Sequence, residues 1–331
     1  MNEKITICSV YHDLASKNFL NLNRELTEKL NPHTEFEWIA ADNTMPDYPE
    51  KHKLNCTKFS IIKGINLLNI LEVPSWPRNR AITEKNIAGW QHGEALNKAM
   101  KHVSSRFAIF LDNNCYIIRP NWITDVINHM KKNNLTFFGP PTDPMRSIHY
   151  KYFPNPHQCF FVDFDKVKKE DLDFSPDMEY RDKSRKIRRL ITPFAAKITK
   201  QTSHKIRKLI KILIINPLKV NTGSDAGRRI YEKFWKHAAL KFECALPVIR
   251  APKYYKLLSL FYPDNMSVLP KRKNSFSSSG FKESGLFDAY GAGIEEYMWQ
   301  GRPFGLHIRG RVSKKYEQSL KMREVLKNFG L

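Results

Sequence analysis

Asp112, Asn113 and Asn114 are the residues whose types and spacing best suit chemistry. They follow Phe107-Ala108-Ile109-Phe110-Leu111, an apolar run with the length of an inner strand. Open α/β sheets place ligands just beyond the carboxyl ends of such strands. The same residue types also make ordinary polar turns. A second strand-like run, residues 36–41, ends in Asp42, Asn43 and Thr44, and here too a turn ahead of Pro46 is the alternative. Between these two strand ends lie Arg78 and Arg80, whose planar donor forks can reach a diphosphate or stay solvated.

Elements that would position these side chains can be read from periodicity. Ala95, Leu96, Ala99, Met100 and Val103 recur at helical spacing and feed the 107–111 strand. Residues 4–10 read as the first strand, ending at Tyr11-His12-Asp13, and a helix over about 16–30 carries Phe19, Leu22, Leu26 and Leu30 on one face. The pattern predicts a helix over about 57–67 and short strands at 69–73 and 135–139, with the 123–132 helix between the last two. Residues 157–163 read as a further strand, and a helix runs to about Ala239 from the entry Thr222-Gly223-Ser224-Asp225. Near the C-terminus, Glu295-Glu296-Tyr297-Met298-Trp299 reads as helical, residues 302–308 as a strand, and about 314–328 as a closing helix.

Length and composition suit an enzyme-sized core. A chain of 331 residues can be one elaborated domain or two. Its 55 Lys and Arg against 33 Asp and Glu give a formal +22, which draws polyanions: nucleic acid, anionic lipid or phosphorylated ligands. Cys8, Cys56, Cys115, Cys159 and Cys244 are odd in number and form no CxxC pair, which argues against a disulfide framework or a structural zinc site and for a reducing compartment. The N-terminus enters a strand-like run without the pattern of a cleavable signal, and no apolar run reaches the roughly 20 residues that cross a bilayer.

Gly89, Gly93, Ala95 and Asn97, then Leu111-Asp112-Asn113-Asn114, then Pro120-Asn121-Trp122, form a pattern that resembles the GT-A fold nucleotide-sugar glycosyltransferases, family 2-like. The resemblance covers about residues 4–165 and continues through short motifs only. It implies an α/β fold, a GT-A (Rossmann-like) mixed sheet flanked by helices. It also implies a transferase that moves a sugar from a nucleoside-diphosphate donor to an acceptor hydroxyl. By position, Asp112 matches the first aspartate of the family's strand-end motif and Asn114 the second. The implied nucleotide-sugar contacts are Asp42, Asn43, Arg80, Asn97, Asp112, Arg309 and Arg311, with Asp42 on the base. A late histidine completes the metal shell in several such enzymes, so Asp112, Asn114 and His307 are the implied ligands of Mn²⁺ or Mg²⁺. Asn114 departs from the pattern, because an amide brings no charge and binds a divalent ion more weakly than a carboxylate. Where relatives carry an aspartate this chain has Asn221, so the catalytic carboxylate falls to Asp225 or Asp225 is a helix-capping acid. His157 lies where the family lines the acceptor side.

Residues 181–219 hold 13 Lys and Arg against the single acid Asp182, a net +12. Ile187, Leu190, Ile191 and Phe194, and later Ile206, Leu209, Ile210, Leu213 and Ile214, recur at helical spacing among the basic residues. Basic amphipathic helices of this kind lie on anionic membrane surfaces, and a hairpin packed on the sheet with a solvated basic face is the alternative. No base-reading module accompanies the charge, so specific nucleic-acid binding is not expected. The division expected is a nucleotide-sugar-binding core over 1–180, a basic helical insertion over 181–219, and an acceptor-side and C-terminal part over 220–331. A Ser-rich stretch, 271–284, reads as a loop that closes over donor. The expected setting is cytoplasmic, peripheral to the inner face of the membrane, with a saccharide or lipid-linked saccharide acceptor in bacterial-type cell-surface glycan assembly. The rival expectation is a non-catalytic polyanion- or membrane-surface-binding protein on a degenerate transferase scaffold.

Overall fold

The computed structural model describes residues 4–45, 54, 57–65, 84–141, 152–177, 226–248, 260, 294–308, 315–328 and 331. The first strand, β1 (Ile5–Tyr11), is followed by α1 (Leu14–Leu30), β2 (Phe36–Asp42), β3 (Ser60–Lys63), α2 (Glu84–Lys101), β4 (Phe107–Leu111) and β5 (Cys115–Ile117). Then come α3 (Trp122–Asn133), β6 (Phe137–Gly139), β7 (Cys159–Asp163), α4 (Arg228–Phe234) and β8 (Phe242–Cys244). The last elements are β9 (Leu246–Pro247), β10 (Ile294–Trp299), β11 (Arg302–Ile308) and α5 (Lys315–Asn328).

A seven-stranded mixed sheet has the order β3-β2-β1-β4-β7-β6-β8. β3, β2, β1 and β4 run parallel, and β7 is antiparallel to both β4 and β6. Strand period decides which face each residue covers. Ile5, Ile7 and Tyr11 of β1 and Phe107, Ile109 and Leu111 of β4 pack with α1 and α3. Cys8 and Val10, with Ala108 and Phe110, pack instead under α2 and α4. Both faces are therefore covered, which is why these strands read as continuous apolar runs. This is the α/β sheet flanked by helices that the sequence leads one to expect.

A second, four-stranded antiparallel sheet, β5-β11-β10-β9, leans on the first. Its β5 follows the Asp112-Asn113-Asn114 turn directly, so β11, paired with β5 through His307↔Cys115, is brought back to the carboxyl end of β4. Two expectations are corrected in these regions. Residues 60–63 form the edge strand β3 rather than part of a helix, because the β-branched pair Ile61-Ile62 finds the open edge of β2 in register. Residues 295–299 form β10, not a helix. Gln300 (φ 49°) and Gly301 (φ 71°) both take left-handed backbone between the paired Trp299 and Arg302, a two-residue hairpin turn that commits the flanking residues to strands. The expected strand at 69–73, the basic insertion at 181–219 and the Ser-rich loop at 271–284 lie outside the described residues.

Candidate functional site

Strand order reverses between β1 and β4, since the chain builds outward from β1 to β3 on one side and then crosses to β4 on the other. Ligands of open α/β sheets bind in the crevice at such a reversal. The three polar residues after β4 divide their work there. Asn113 is buried and donates from Nδ2 to the Val10 carbonyl at 3.0 Å, latching β4 to β1. Asn114 donates from Nδ2 to the Ile308 carbonyl at 2.8 Å, and its own carbonyl accepts from Ile308 N at 3.0 Å. Asp112 is fixed through its backbone, donating from N to the Gln158 carbonyl at 2.8 Å.

Because Asn114 Nδ2 is committed to Ile308, its Oδ1 faces the imidazole of His307, 3.1 Å from Nε2. Asp112 Oδ2 stands 3.5 Å from the same Nε2. On the other side, His307 Nδ1 lies 2.9 Å from Glu295 Oε2, and both residues are buried. An imidazole with its proton on Nδ1 toward Glu295 presents a lone pair at Nε2. Nε2 then turns that lone pair toward Asn114 Oδ1 and Asp112 Oδ2, an arrangement able to accept a metal ion, whereas in the other tautomer Nε2–H donates to Asn114 Oδ1. Ligand bonds of about 2.1 Å place neighbouring donors of an octahedral ion about 3.0 Å apart. The spacings of 3.1 and 3.5 Å fit such an ion with little adjustment. One carboxylate, one amide oxygen and one imidazole make a mixed donor set suited to Mn²⁺. Among the described residues, no group of three or more His, Cys, Asp or Glu side chains is arranged as a metal centre, and here an amide fills the third place.

Glu295 is the head of a buried polar chain. Its Oε2 accepts from Tyr297 OH at 3.0 Å and from Gln158 Nε2 at 3.4 Å, and Asn155 Nδ2 donates to Gln158 Oε1 at 3.2 Å. Below it, burial pushes the Cys115 thiol up, with Cys159 and the Asp112 charge adding to the rise. A neutral, enclosed thiol is neither a ready nucleophile nor a thiolate ligand.

The other strand ends are built differently. Asp42 Oδ1 accepts from Thr44 N at 2.8 Å and Thr44 Oγ1 at 2.6 Å, so the residue forms an Asx turn at the end of β2. The Asn43 amide is taken up by backbone, donating to the Gln91 carbonyl at 3.1 Å and accepting from Ile65 N at 2.7 Å. Asn97 holds the 173–175 segment against α2, donating to Asp173 Oδ1 and Ser175 Oγ, both at 3.1 Å, and accepting from Phe174 N at 2.8 Å. At the end of β1, Asp13 caps α1 in a reciprocal box with Ser16. Burial would raise its carboxyl, but the bond and charge of His12 and the two bonds from Ser16 outweigh that and hold it well below the usual range. His157, half-buried, sets Nδ1 2.8 Å from the Ala226 carbonyl.

The structure thus brings Asp112, Asn114 and His307 together, whereas the hydrogen bonds of Asp42, Asn43 and Asn97 go to turns and packing contacts elsewhere. Arg80, Asp225, Arg309 and Arg311 lie outside the described residues. Sequence reasoning missed Glu295, Tyr297 and Gln158. The signal for the first two was their i, i+2 spacing ahead of a Gln-Gly turn, obscured by two adjacent glutamates that favour helix.

No protein-family model and no curated protein matches the sequence. Solved structures do. TarS of S. aureus is 16% identical over 52% of this chain and 30% of its own, with a TM-score of 0.34. A galactosyltransferase, LgtC, in complex with donor and acceptor sugar analogues is 16% identical over 48% of this chain and 57% of its own, at a TM-score of 0.29. Glucosyl-3-phosphoglycerate synthase of Mycobacterium tuberculosis, in complex with Mn²⁺, UDP and phosphoglyceric acid, is 11% identical over 50% and 57% respectively, at 0.33. The chain covers 30% to 57% of the length of these proteins.

Proposed function

We propose that this chain is a GT-A-type glycosyltransferase, moving a sugar from a nucleoside-diphosphate donor to an acceptor hydroxyl. The observation that carries the reading is the convergence of Asp112, Asn114 and His307 at the sheet's reversal point. Asp112 Oδ2, Asn114 Oδ1 and His307 Nε2 would hold Mn²⁺ or Mg²⁺. When bound, such an ion neutralises the charge that develops on the departing diphosphate. Asp42, at the neighbouring strand end, accepts from the base of the nucleotide, and Arg80, Arg309 and Arg311 supply donor forks for its phosphates. Asp225 removes the proton of the attacking hydroxyl. The acceptor oxygen then bonds to the anomeric carbon as the bond to the diphosphate breaks, and this direct displacement inverts that centre.

The acceptor is a saccharide or lipid-linked saccharide of bacterial-type cell-surface glycan, met at the cytoplasmic face of the membrane by the basic 181–219 segment. No described helix is long and apolar enough to cross a membrane. The test is nucleotide release from a panel of UDP- and GDP-sugars, with and without Mn²⁺, for the native chain and for Asp112→Ala. Turnover by the native chain should fall by about 100-fold or more in the variant. Equal turnover by a folded variant would sink the assignment, and no turnover of any donor by the native chain would favour a non-catalytic role, for which the uncharged Asn114 is the motive.

A further inference from the structure

Asn114 leaves the proposed ion with a single carboxylate among its direct ligands. A second negative charge stands just behind the imidazole: the Glu295 carboxylate, 2.9 Å from His307 Nδ1. We infer that Glu295 is a positioning residue that supplies, through His307, the charge the ion lacks at Asn114. This rests on the transferase reading and its metal.

Three observations carry it. Glu295 and His307 are directly paired residues of β10 and β11, so the ladder itself sets the carboxylate opposite the ring. Glu295 is buried, at 5% exposure, where a charge is costly unless it is paired and hydrogen-bonded. Tyr297 OH and Gln158 Nε2 donate to the same Oε2 that faces Nδ1, at 3.0 and 3.4 Å, which holds that oxygen as a negative acceptor aimed at the ring. An imidazole donating Nδ1–H to a carboxylate is fixed in the tautomer whose Nε2 binds metal, and it is a stronger base there. With Asp112 on one side of His307 and Glu295 on the other, the site carries two negative charges, one of them transmitted through the ring.

The experiment is a titration of the full chain with Mn²⁺ alone, following loss of the free-ion electron paramagnetic resonance signal, with a thermal melt of each variant. Glu295→Gln keeps an acceptor for Nδ1–H and removes only the charge. It should weaken Mn²⁺ binding by about tenfold or more, and adding Asn114→Asp to it should restore affinity to near the native value. Native-like binding in Glu295→Gln, or a double variant that stays weak, overturns the inference while leaving the metal site standing. A native chain that binds no Mn²⁺ removes the metal reading, and the inference with it. Should Glu295→Gln fail to fold, Asn114→Asp alone decides. With Glu295 already supplying charge it should tighten binding by less than about tenfold, and a gain of about 100-fold would show a charge missing that Glu295 does not provide.

Discussion

Arg106 and Asp163 show how much a single pair holds in place at the far end of the strand that carries Asp112. Asp163 has no exposed side-chain surface, and Arg106 bonds it in a fork, Nε to Oδ1 and Nη2 to Oδ2, both at 2.9 Å. Burial would raise the Asp163 carboxyl, but the Arg106 bonds, the backbone N–H of Asp165 and the nearby Lys166 charge outweigh it and lower the value. A depressed folded-state value means that the unfolded chain binds the proton more readily. The pair's stabilisation is therefore complete above the unfolded value of about 3.9 and is lost as pH falls through the folded one. Arg106→Met leaves a buried carboxylate without its fork and should cost on the order of 3 kcal/mol at neutral pH. Its acid unfolding midpoint, followed by circular dichroism across a pH series, should move upward, and an unchanged midpoint would count against the pairing as a source of stability. Residues of this kind also mark the limit of sequence reading. Asp112 was legible because a carboxylate at the end of an apolar run stands out locally. That Asn113 is a latch was not legible, because its partner lies 103 positions away, and Asn114 was set beside His307, 193 positions on, by the family resemblance alone.

Helix α2 is held to the sheet by a close approach at Gly93. A Cβ there would stand 2.3 Å from the Phe174 carbonyl oxygen and 2.9 Å from its carbon, so helix or segment would have to move. Two effects compete in Gly93→Ala. Helix propensity favours alanine by about 1 kcal/mol, whereas overpacking against backbone costs about 1–3 kcal/mol. The second should win, since the clash is with main chain and Asn97 pins the same segment by three hydrogen bonds. Denaturant unfolding should show a net loss of about 1 kcal/mol, and a stabilised variant would contradict the packing. The elements themselves were legible in proportion to their burial pattern. α1 declared itself by its helical period and β1 and β4 by continuous runs buried on both faces. β3 and β10 did not, because each is defined by the neighbour it pairs with. Residues 60–63 alternate too little to distinguish strand from helix, and the Gln-Gly turn after β10 lacks the usual Asn or Asp.

At the scale of the whole molecule, charge distribution argues where the chemistry takes place. A formal +22 spread evenly would speak only of solubility, but residues 181–219 concentrate +12 beside two sets of apolar residues at helical spacing. A small soluble acceptor makes no use of such a face. A lipid-linked saccharide would present its reactive end just above anionic headgroups, where each basic residue adds about 1 kcal/mol of attraction. Insertion of Ile206, Leu209, Leu213 and Ile214 would add the apolar contribution, which salt does not screen. The two terms separate experimentally, because the Debye length falls from about 10 Å at 0.1 M salt to about 3 Å at 1 M. The full chain should co-sediment with anionic vesicles more than with neutral ones, and less as salt rises. Changing Lys205, Arg207, Lys208 and Lys211 to Gln should remove most of the difference between the two lipids and leave nucleotide release from a soluble donor unaltered. Equal sedimentation of native and variant chains with anionic vesicles, or none of either, would make the segment a solvated helical insertion and detach the acceptor from the membrane.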